Sequence, residues 1–256
     1  MEDLYVEERG DGETLLLHQG LGQGSWAWMY SAPQLAERFR TIVFDTRGTG
    51  RSPVPGEPYG IDDLAGDAAR ILDGRPAHVV GFSMGGYVAL TLALKHPALV
   101  RTLVLAGTGA GGPSRVPRPA HVREAFAEAM LLPPEEARRA TMPYTFAAGW
   151  AEANPERVEE IVAASLRHPT PLRTIEAHTA ACYRFYDEDV DVERIEASAL
   201  VVHGTEDLIV PVENGRGLAR RLPNARYVEL PGRGHNLMLQ DPETFDELVL
   251  EFLGSS

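Results

Sequence analysis

Short apolar runs alternate along this chain with longer segments whose apolar residues recur every three to four positions. The runs fall at residues 4–8, 14–18, 41–45, 78–81, 100–106, 199–204 and 226–230. Each has strand length, and those apolar throughout suit strands buried on both faces. The helical periodicity falls at residues 33–39, 61–72, 86–95, 212–222 and 242–253. Strand and helix taking turns in this way predict an α/β architecture, a mostly parallel twisted sheet of about seven strands flanked by helices.

The alternation breaks between residues 111 and 196. That stretch holds Pro113, Pro117, Pro119, Pro133, Pro134, Pro143, Pro155, Pro169 and Pro171, and no strand pattern. Helices are predicted at 120–130, 135–141, 155–167 and 171–186, several opening at or near a proline, whose fixed φ and missing N–H suit the first helical turn. An all-helical insertion in an α/β chain predicts a cap over the carboxyl edge of the sheet. The expected organisation is therefore a core of residues 1–110 and 197–256 with a helical cap at 111–196.

Composition narrows the function classes. With 256 residues, 44% of them hydrophobic, the chain can bury a large core. Its formal net charge of −13 repels phosphate backbones and anionic headgroups, so neither nucleic acid nor membrane is an expected partner. A single cysteine, Cys182, allows no intrachain disulfide and fits a reducing compartment. The N-terminal run Met1-Glu2-Asp3-Leu4-Tyr5 is acidic where a signal peptide is basic, and no apolar stretch has the length of a membrane span. A soluble, cytoplasmic protein is expected, as a monomer or homodimer.

Candidate chemistry concentrates where strand patterns end. Val79-Val80-Gly81-Phe82-Ser83-Met84-Gly85-Gly86 runs from an apolar strand through Gly-x-Ser-x-Gly directly into a helix. A reversal that sharp brings backbone so close to neighbouring elements that glycine is required at Gly81 and Gly85. It also lifts the Ser83 hydroxyl above the sheet, beside a helix N-terminus that favours developing negative charge. A serine hydroxyl is a poor nucleophile at neutral pH, so it needs a base, and the base an orienting carboxylate. His235 qualifies as base, in the Gly-rich loop Leu230-Pro231-Gly232-Arg233-Gly234-His235-Asn236 after the last strand. Among the other histidines, His18 and His203 end strands, while His78, His96, His121, His168 and His178 read as surface or helix positions. Glu206 and Asp207, just past the strand at 199–204, are adjacent candidates for the carboxylate. Oxyanion donors are expected from the Met84 N–H and from His18-Gln19-Gly20-Leu21-Gly22-Gln23-Gly24, where Leu21 is favoured and Gly20 is the alternative. No metal-ligand pattern or phosphate-binding loop is present, and no metal or cofactor is expected.

These motifs resemble the α/β-hydrolase fold superfamily over nearly the whole chain. Asp45-Thr46-Arg47-Gly48-Thr49-Gly50-Arg51-Ser52 is similar to its D-x-R-G-x-G-x-S loop, and Pro58-Tyr59-Gly60-Ile61-Asp62-Asp63-Leu64 to the helix start that follows. Gly81-Phe82-Ser83-Met84-Gly85 matches the nucleophile elbow, His203-Gly204-Thr205-Glu206-Asp207 the acid turn, and Gly232-Arg233-Gly234-His235 the histidine loop. The resemblance places the acid at Asp207 rather than Glu206 and implies a Ser83–His235–Asp207 triad. It also implies structural roles for Asp45 and Arg47 in holding a turn. One departure is that there is room for one strand, where the family usually has two, before the strand at 14–18. Another is an extra residue in the His18-Gln19-Gly20-Leu21-Gly22 loop.

The tone is that of esterases, enol-lactonases and cofactor-free haloperoxidases with a helical cap, which implies cleavage of a small-molecule ester or lactone through an acyl-enzyme on Ser83. An enol-lactonase, a carbon–carbon hydrolase or a perhydrolase would use the same triad. A receptor that keeps a hydrolase fold without turnover is the alternative of another class. Trp26, Phe146, Trp150 and Tyr183 are candidate walls of the substrate pocket. Arginines of the inserted segment, such as Arg138, Arg139, Arg167, Arg173 and Arg184, are candidates to offset the negative field locally.

Overall fold

The computed structural model describes residues 3–254, so Met1 and Glu2 of the acidic N-terminal run lie outside it. Seven strands form one sheet: β1 (Val6–Arg9), β2 (Thr14–His18), β3 (Arg40–Phe44), β4 (Ala77–Phe82), β5 (Val100–Ala106), β6 (Ser198–Gly204) and β7 (Ala225–Leu230). Their spatial order is β1-β3-β2-β4-β5-β6-β7. β1 lies antiparallel on β3, pairing Val6 with Phe44 and Arg9 with Thr41. All other neighbours are parallel.

Side chains alternate across the pleat, and this alternation builds two cores. Leu16 of β2, Leu103 and Leu105 of β5, and Val201 of β6 face one side. They pack there against α2 (Ile61–Leu72), α3 (Met84–Lys95) and α9 (Val212–Arg221). Leu15 and Leu17, Val104, and Leu200 and Val202 face the other side with α1 (Ser31–Leu35) and α11 (Pro242–Gly254). Strands covered on both faces are apolar at most positions, which is why they read as runs and not as alternating patterns.

Between β5 and β6 the chain forms α4 (Ala120–Ala129), α5 (Pro134–Thr145), α6 (Trp150–Ala153), α7 (Pro155–Leu166) and α8 (Leu172–Asp187). A further short helix, α10 (Leu237–Gln240), precedes α11. Two expected helix starts move. α3 begins at Met84 directly after Ser83, because Gly85 and Gly86 serve close approach within the helix instead of ending it. α1 begins at Ser31 and gives way after Leu35 to turns in which Glu37 and Arg38 N–H groups donate to Gln34 and Leu35. α6, at four residues, is too short to show a period. α5 continues past Pro143 to Thr145, since an internal proline removes its own hydrogen bond without ending the helix. No helix among the described residues is long and apolar enough to cross a membrane.

Two glycines separate backbone necessity from tolerance. A Cβ at Gly85 would lie 2.2 Å from the His18 carbonyl oxygen, whereas one at Gly66 in α2 meets nothing within 4 Å. Gly66→Ala is expected to raise stability by about 0.5–1 kcal/mol through helix propensity. Gly85→Ala should lower it by about 1–3 kcal/mol or more. Urea unfolding of both variants measures the contrast.

Asp246 of α11 is 5% exposed, and desolvation, with the nearby Glu243 charge, pushes its carboxyl up to about 6 against the lowering influence of the Ser31 hydroxyl. A native pKa above the unfolded value means that folding takes up a proton, so this group lowers stability as pH rises from about 4 to 6. Asp246→Asn is expected to stabilise at pH 7.5, on the order of 1–3 kcal/mol, with the gain vanishing below about pH 4. Denaturation midpoints at the two pH values test this.

Candidate active site

Ser83 stands at the junction of β4 and α3 with φ 54° and ψ −116°, a left-handed backbone that L-residues rarely adopt. Three hydrogen bonds hold it there. Its N–H donates to the Ala106 carbonyl at 2.9 Å, and its carbonyl accepts from the Gly86 N–H and from Thr108 Oγ1, both at 2.9 Å. The approach is too close for side chains: a Cβ at Gly81 would lie 2.4 Å from the Gly85 carbonyl oxygen, and one at Gly86 would meet Thr108. The hydroxyl is thereby presented at the carboxyl edge of the sheet.

His235 Nε2 lies 3.0 Å from Ser83 Oγ, and its Nδ1 lies 2.7 Å from Asp207 Oδ2. The histidine loop reaches this position by docking on the acid loop. Gly234 crosses the backbone of Phe146 and Ala147 so tightly that a Cβ would sit 2.5 Å from it, and the Glu206 N–H donates to the Arg233 carbonyl. Gln240 Oε1 accepts from the N–H groups of Gly234 and Ala147. Phe82, the residue before the serine, lies beside the His235 ring with centroids 4.8 Å apart.

Asp207 is buried, and its carboxylate is fully engaged. Oδ1 accepts from the Ile209 and Val210 N–H groups, both at 2.8 Å, while Oδ2 faces His235 and, at 3.2 Å, Nε2 of His203. Burial acts to raise its pKa, but the charge of His235 and hydrogen bonds from both imidazoles outweigh it and hold the group well below the usual carboxylate range. Glu206 points elsewhere, accepting from the Ala148 N–H.

His203 is a member of this cluster that its reading as a strand-end histidine missed. It is fully buried, and its Nε2–H is shared between Asp207 and the Val210 carbonyl at 2.8 Å. Its position four residues before the acid, at a strand's carboxyl end, is the signal that could have singled it out.

The loop after β2 is held from several directions. Gln19 Nε2 donates to Phe44 O and Thr46 Oγ1, and the Gly20 N–H is spent on Gln23 Oε1 at 3.1 Å. That occupancy favours Leu21 over Gly20 as a donor toward substrate. Gly22 is tied to the insertion at both its polar groups, its N–H donating to His178 Nδ1 and its carbonyl accepting from Thr170 Oγ1. His178 is a buried position on α8, as its helix reading allows, whereas His78 is buried in β4 and is neither a surface nor a helix position. Desolvation pushes His178 down to about 4, which keeps the ring neutral and able to accept. Asp45 and Arg47 hold turns: Asp45 accepts from the N–H groups of Ser25 and Arg51, and Arg47 pairs with Asp67 at 2.6 Å.

A cavity of about 340 Å³ opens over Ser83 and His235, with Leu21 and Met84 on one side and residues of α4, α5 and α8 on the other. Of the four aromatics expected on its wall, Tyr183 lines it, and Trp26, Phe146 and Trp150 do not. Phe146 and Trp150 stack on each other at 4.2 Å, and Phe146 backs the histidine loop. Trp26 lies beneath Arg138, which does line the cavity. Cys182 also lines it, but burial pushes the thiol up to about 12, far from a reactive thiolate.

The model of a family described as "alpha/beta hydrolase fold" matches residues 13–242. A Caulobacter segnis protein named "Putative carbamate hydrolase RutD" is 34% identical over 250 residues, covering 94% of this chain and 91% of its own. The enol-lactonase from Burkholderia xenovorans LB400 superposes with a TM-score of 0.83 at 28% identity, covering 98% of this chain and 96% of its own. Est816, described as an N-acyl homoserine lactone degrading enzyme, gives a TM-score of 0.81 at 26% identity over 97% of this chain and 96% of its own. The chain belongs to the α/β-hydrolase family and is an enzyme of the hydrolase class.

Proposed function

We propose that the protein is a serine hydrolase that cleaves carboxylic esters or related acyl bonds of a small molecule through an acyl-enzyme on Ser83. The observation that carries this reading is the continuous hydrogen-bonded row Ser83 Oγ–His235 Nε2 and His235 Nδ1–Asp207 Oδ2, at 3.0 and 2.7 Å, opening onto a cavity.

In the proposed mechanism His235 takes the Ser83 proton as Oγ bonds to the acyl carbon, and Asp207 stabilises the imidazolium that forms. The carbonyl π electrons move onto oxygen, which the N–H groups of Met84 and Leu21 receive. Met84 begins α3, so its N–H has no partner within the helix, and the Gly20 N–H is already engaged. Collapse expels the leaving alkoxide, which takes the proton from His235. Water then repeats the sequence on the acyl-enzyme, releasing the acid and restoring Ser83. His203 steadies Asp207 and leaves its Oδ2 lone pairs directed at two imidazoles.

A second reading has direct support in the relatives named for carbamate hydrolysis, at 30–34% identity. A carbamate presents the same electrophilic carbon, and the same residues would form a carbamoyl-enzyme on Ser83. The cavity holds a small substrate in either case.

Steady-state hydrolysis of p-nitrophenyl esters from acetate to decanoate, beside lactones and aryl carbamates, tests the proposal. Multiple turnovers are expected on at least one acyl class, and Ser83→Ala should lower turnover by about 10⁴–10⁶-fold. Near-normal turnover in that variant, or product stopping at one equivalent, would overturn the reading; the latter would indicate a receptor. Asp207→Asn is expected to cost about 10⁴-fold at neutral pH, since it leaves His235 in the wrong tautomer. An unchanged rate in that variant would remove Asp207 from the mechanism.

A further inference from the structure

The chain carries 37 acidic against 24 basic side chains, yet among the described residues no Asp or Glu lines the cavity over Ser83. Four arginines are: Arg115, Arg118, Arg123 and Arg138. Such an inversion of the surrounding charge concentrates positive potential where substrate enters.

Arg138, on α5, differs from two other arginines of the insertion that the protein itself engages. Its neighbour Arg139 is clamped between Glu135 and Glu159, and Arg184 donates to the Tyr59 carbonyl. Arg138 has no carboxylate within 4.0 Å among the described residues, and its one contact of note is with the Trp26 ring, 5.1 Å from the guanidinium carbon. A contact with an aromatic ring engages the face of a guanidinium and leaves its in-plane N–H donors unspent. Enclosure pushes the group down to about 10, still charged at neutral pH. Half-buried on the cavity wall with no counter-ion among the described residues, the guanidinium is positioned to pair with an anion that a ligand supplies.

Of the other lining arginines, Arg118 is held by a backbone hydrogen bond and Arg123 is exposed, while Arg115 shares with Arg138 an aromatic contact and the lack of a carboxylate within 4.0 Å among the described residues. Arg118 donates to the Ile209 carbonyl and lies over Phe126, and Arg115 lies over Tyr186.

We propose that Arg138 binds a carboxylate of the substrate, so that the molecule hydrolysed is an acyl compound bearing a free acid group. The planar fork of donors suits a carboxylate held in bidentate fashion, and the net negative field of the protein opposes a dianion more than a monoanion. Trp26 acts as the platform that fixes the guanidinium. The proposal rests on the acyl-hydrolase reading for its reacting bond but not for its anion site.

Monoethyl esters of dicarboxylic acids from succinate to adipate are compared with the ethyl esters of equal length lacking the acid group, by pH-stat at 0.15 M salt. The acid-bearing member is expected to be favoured in kcat/KM by about tenfold to a hundredfold at the best chain length. In Arg138→Gln this ratio should collapse toward unity, and Arg138→Lys should restore part of it. A ratio near or below unity in the unsubstituted enzyme, or one unchanged in Arg138→Gln, overturns the proposal. Calorimetric titration of monoethyl glutarate, a monoanion, into the Ser83→Ala protein reads the anion site without turnover. Binding there that disappears in Ser83→Ala/Arg138→Gln supports the site even if no ester is hydrolysed. Absence of binding together with absence of preference rejects it.

Discussion

The backbone at Ser83 is the constraint on which the rest of the site depends. A residue held at φ 54° costs on the order of 1–3 kcal/mol and persists only where its surroundings over-determine it. Here the surroundings are the neighbouring strand, which accepts its N–H through Ala106, and Thr108, which donates to its carbonyl. The reversal demands glycine at Gly81, Gly85 and Gly86, because backbone or side-chain atoms occupy the space where their β-carbons would be. It also starts α3 one residue after the serine, placing a hydroxyl and a helix N-terminus at one point of the sheet edge. Strain and chemistry are thus features of the same few peptide units.

Charge inside the molecule is treated in two opposite ways. The Asp207 carboxylate is buried with backbone and imidazole donors on both its oxygens, so it stays ionised in a place where an isolated carboxylate would be neutral. The Arg138 guanidinium, by contrast, sits against an aromatic face with no carboxylate beside it among the described residues. The first arrangement completes itself within the protein; the second leaves its complement to come from elsewhere.

What could be read in the sequence follows from how local the cause is. β2 and α2 are set by short-range period, and their predicted ends match the structure. The Ser83, Asp207 and His235 positions were legible because each sits in a turn whose glycines and neighbours carry their own signature. The preference for Leu21 over Gly20 gains support from the Gln23 side chain folding back on the Gly20 N–H, a contact no spacing rule encodes. The pocket aromatics were the least legible. Whether an aromatic faces the cavity or the packing behind it depends on how α5, α6 and α8 lie on the core, so Phe146 and Trp150 stack behind the histidine loop while Tyr183 reaches the cavity. His203 escaped notice for the same reason, since its partner is made by a loop that turns back over the strand end.

Gly22 adjoins the proposed oxyanion donor Leu21, yet both of its polar backbone groups are bonded to the inserted segment, through His178 and Thr170. A hydrogen bond does not survive a displacement of more than about an ångström beyond its normal length. If α8 and the turn before it lift to admit a molecule too large for the closed cavity, they therefore either drag this loop along or release it. Entry by that route is thus coupled to the loop that carries Leu21 through the two bonds of Gly22.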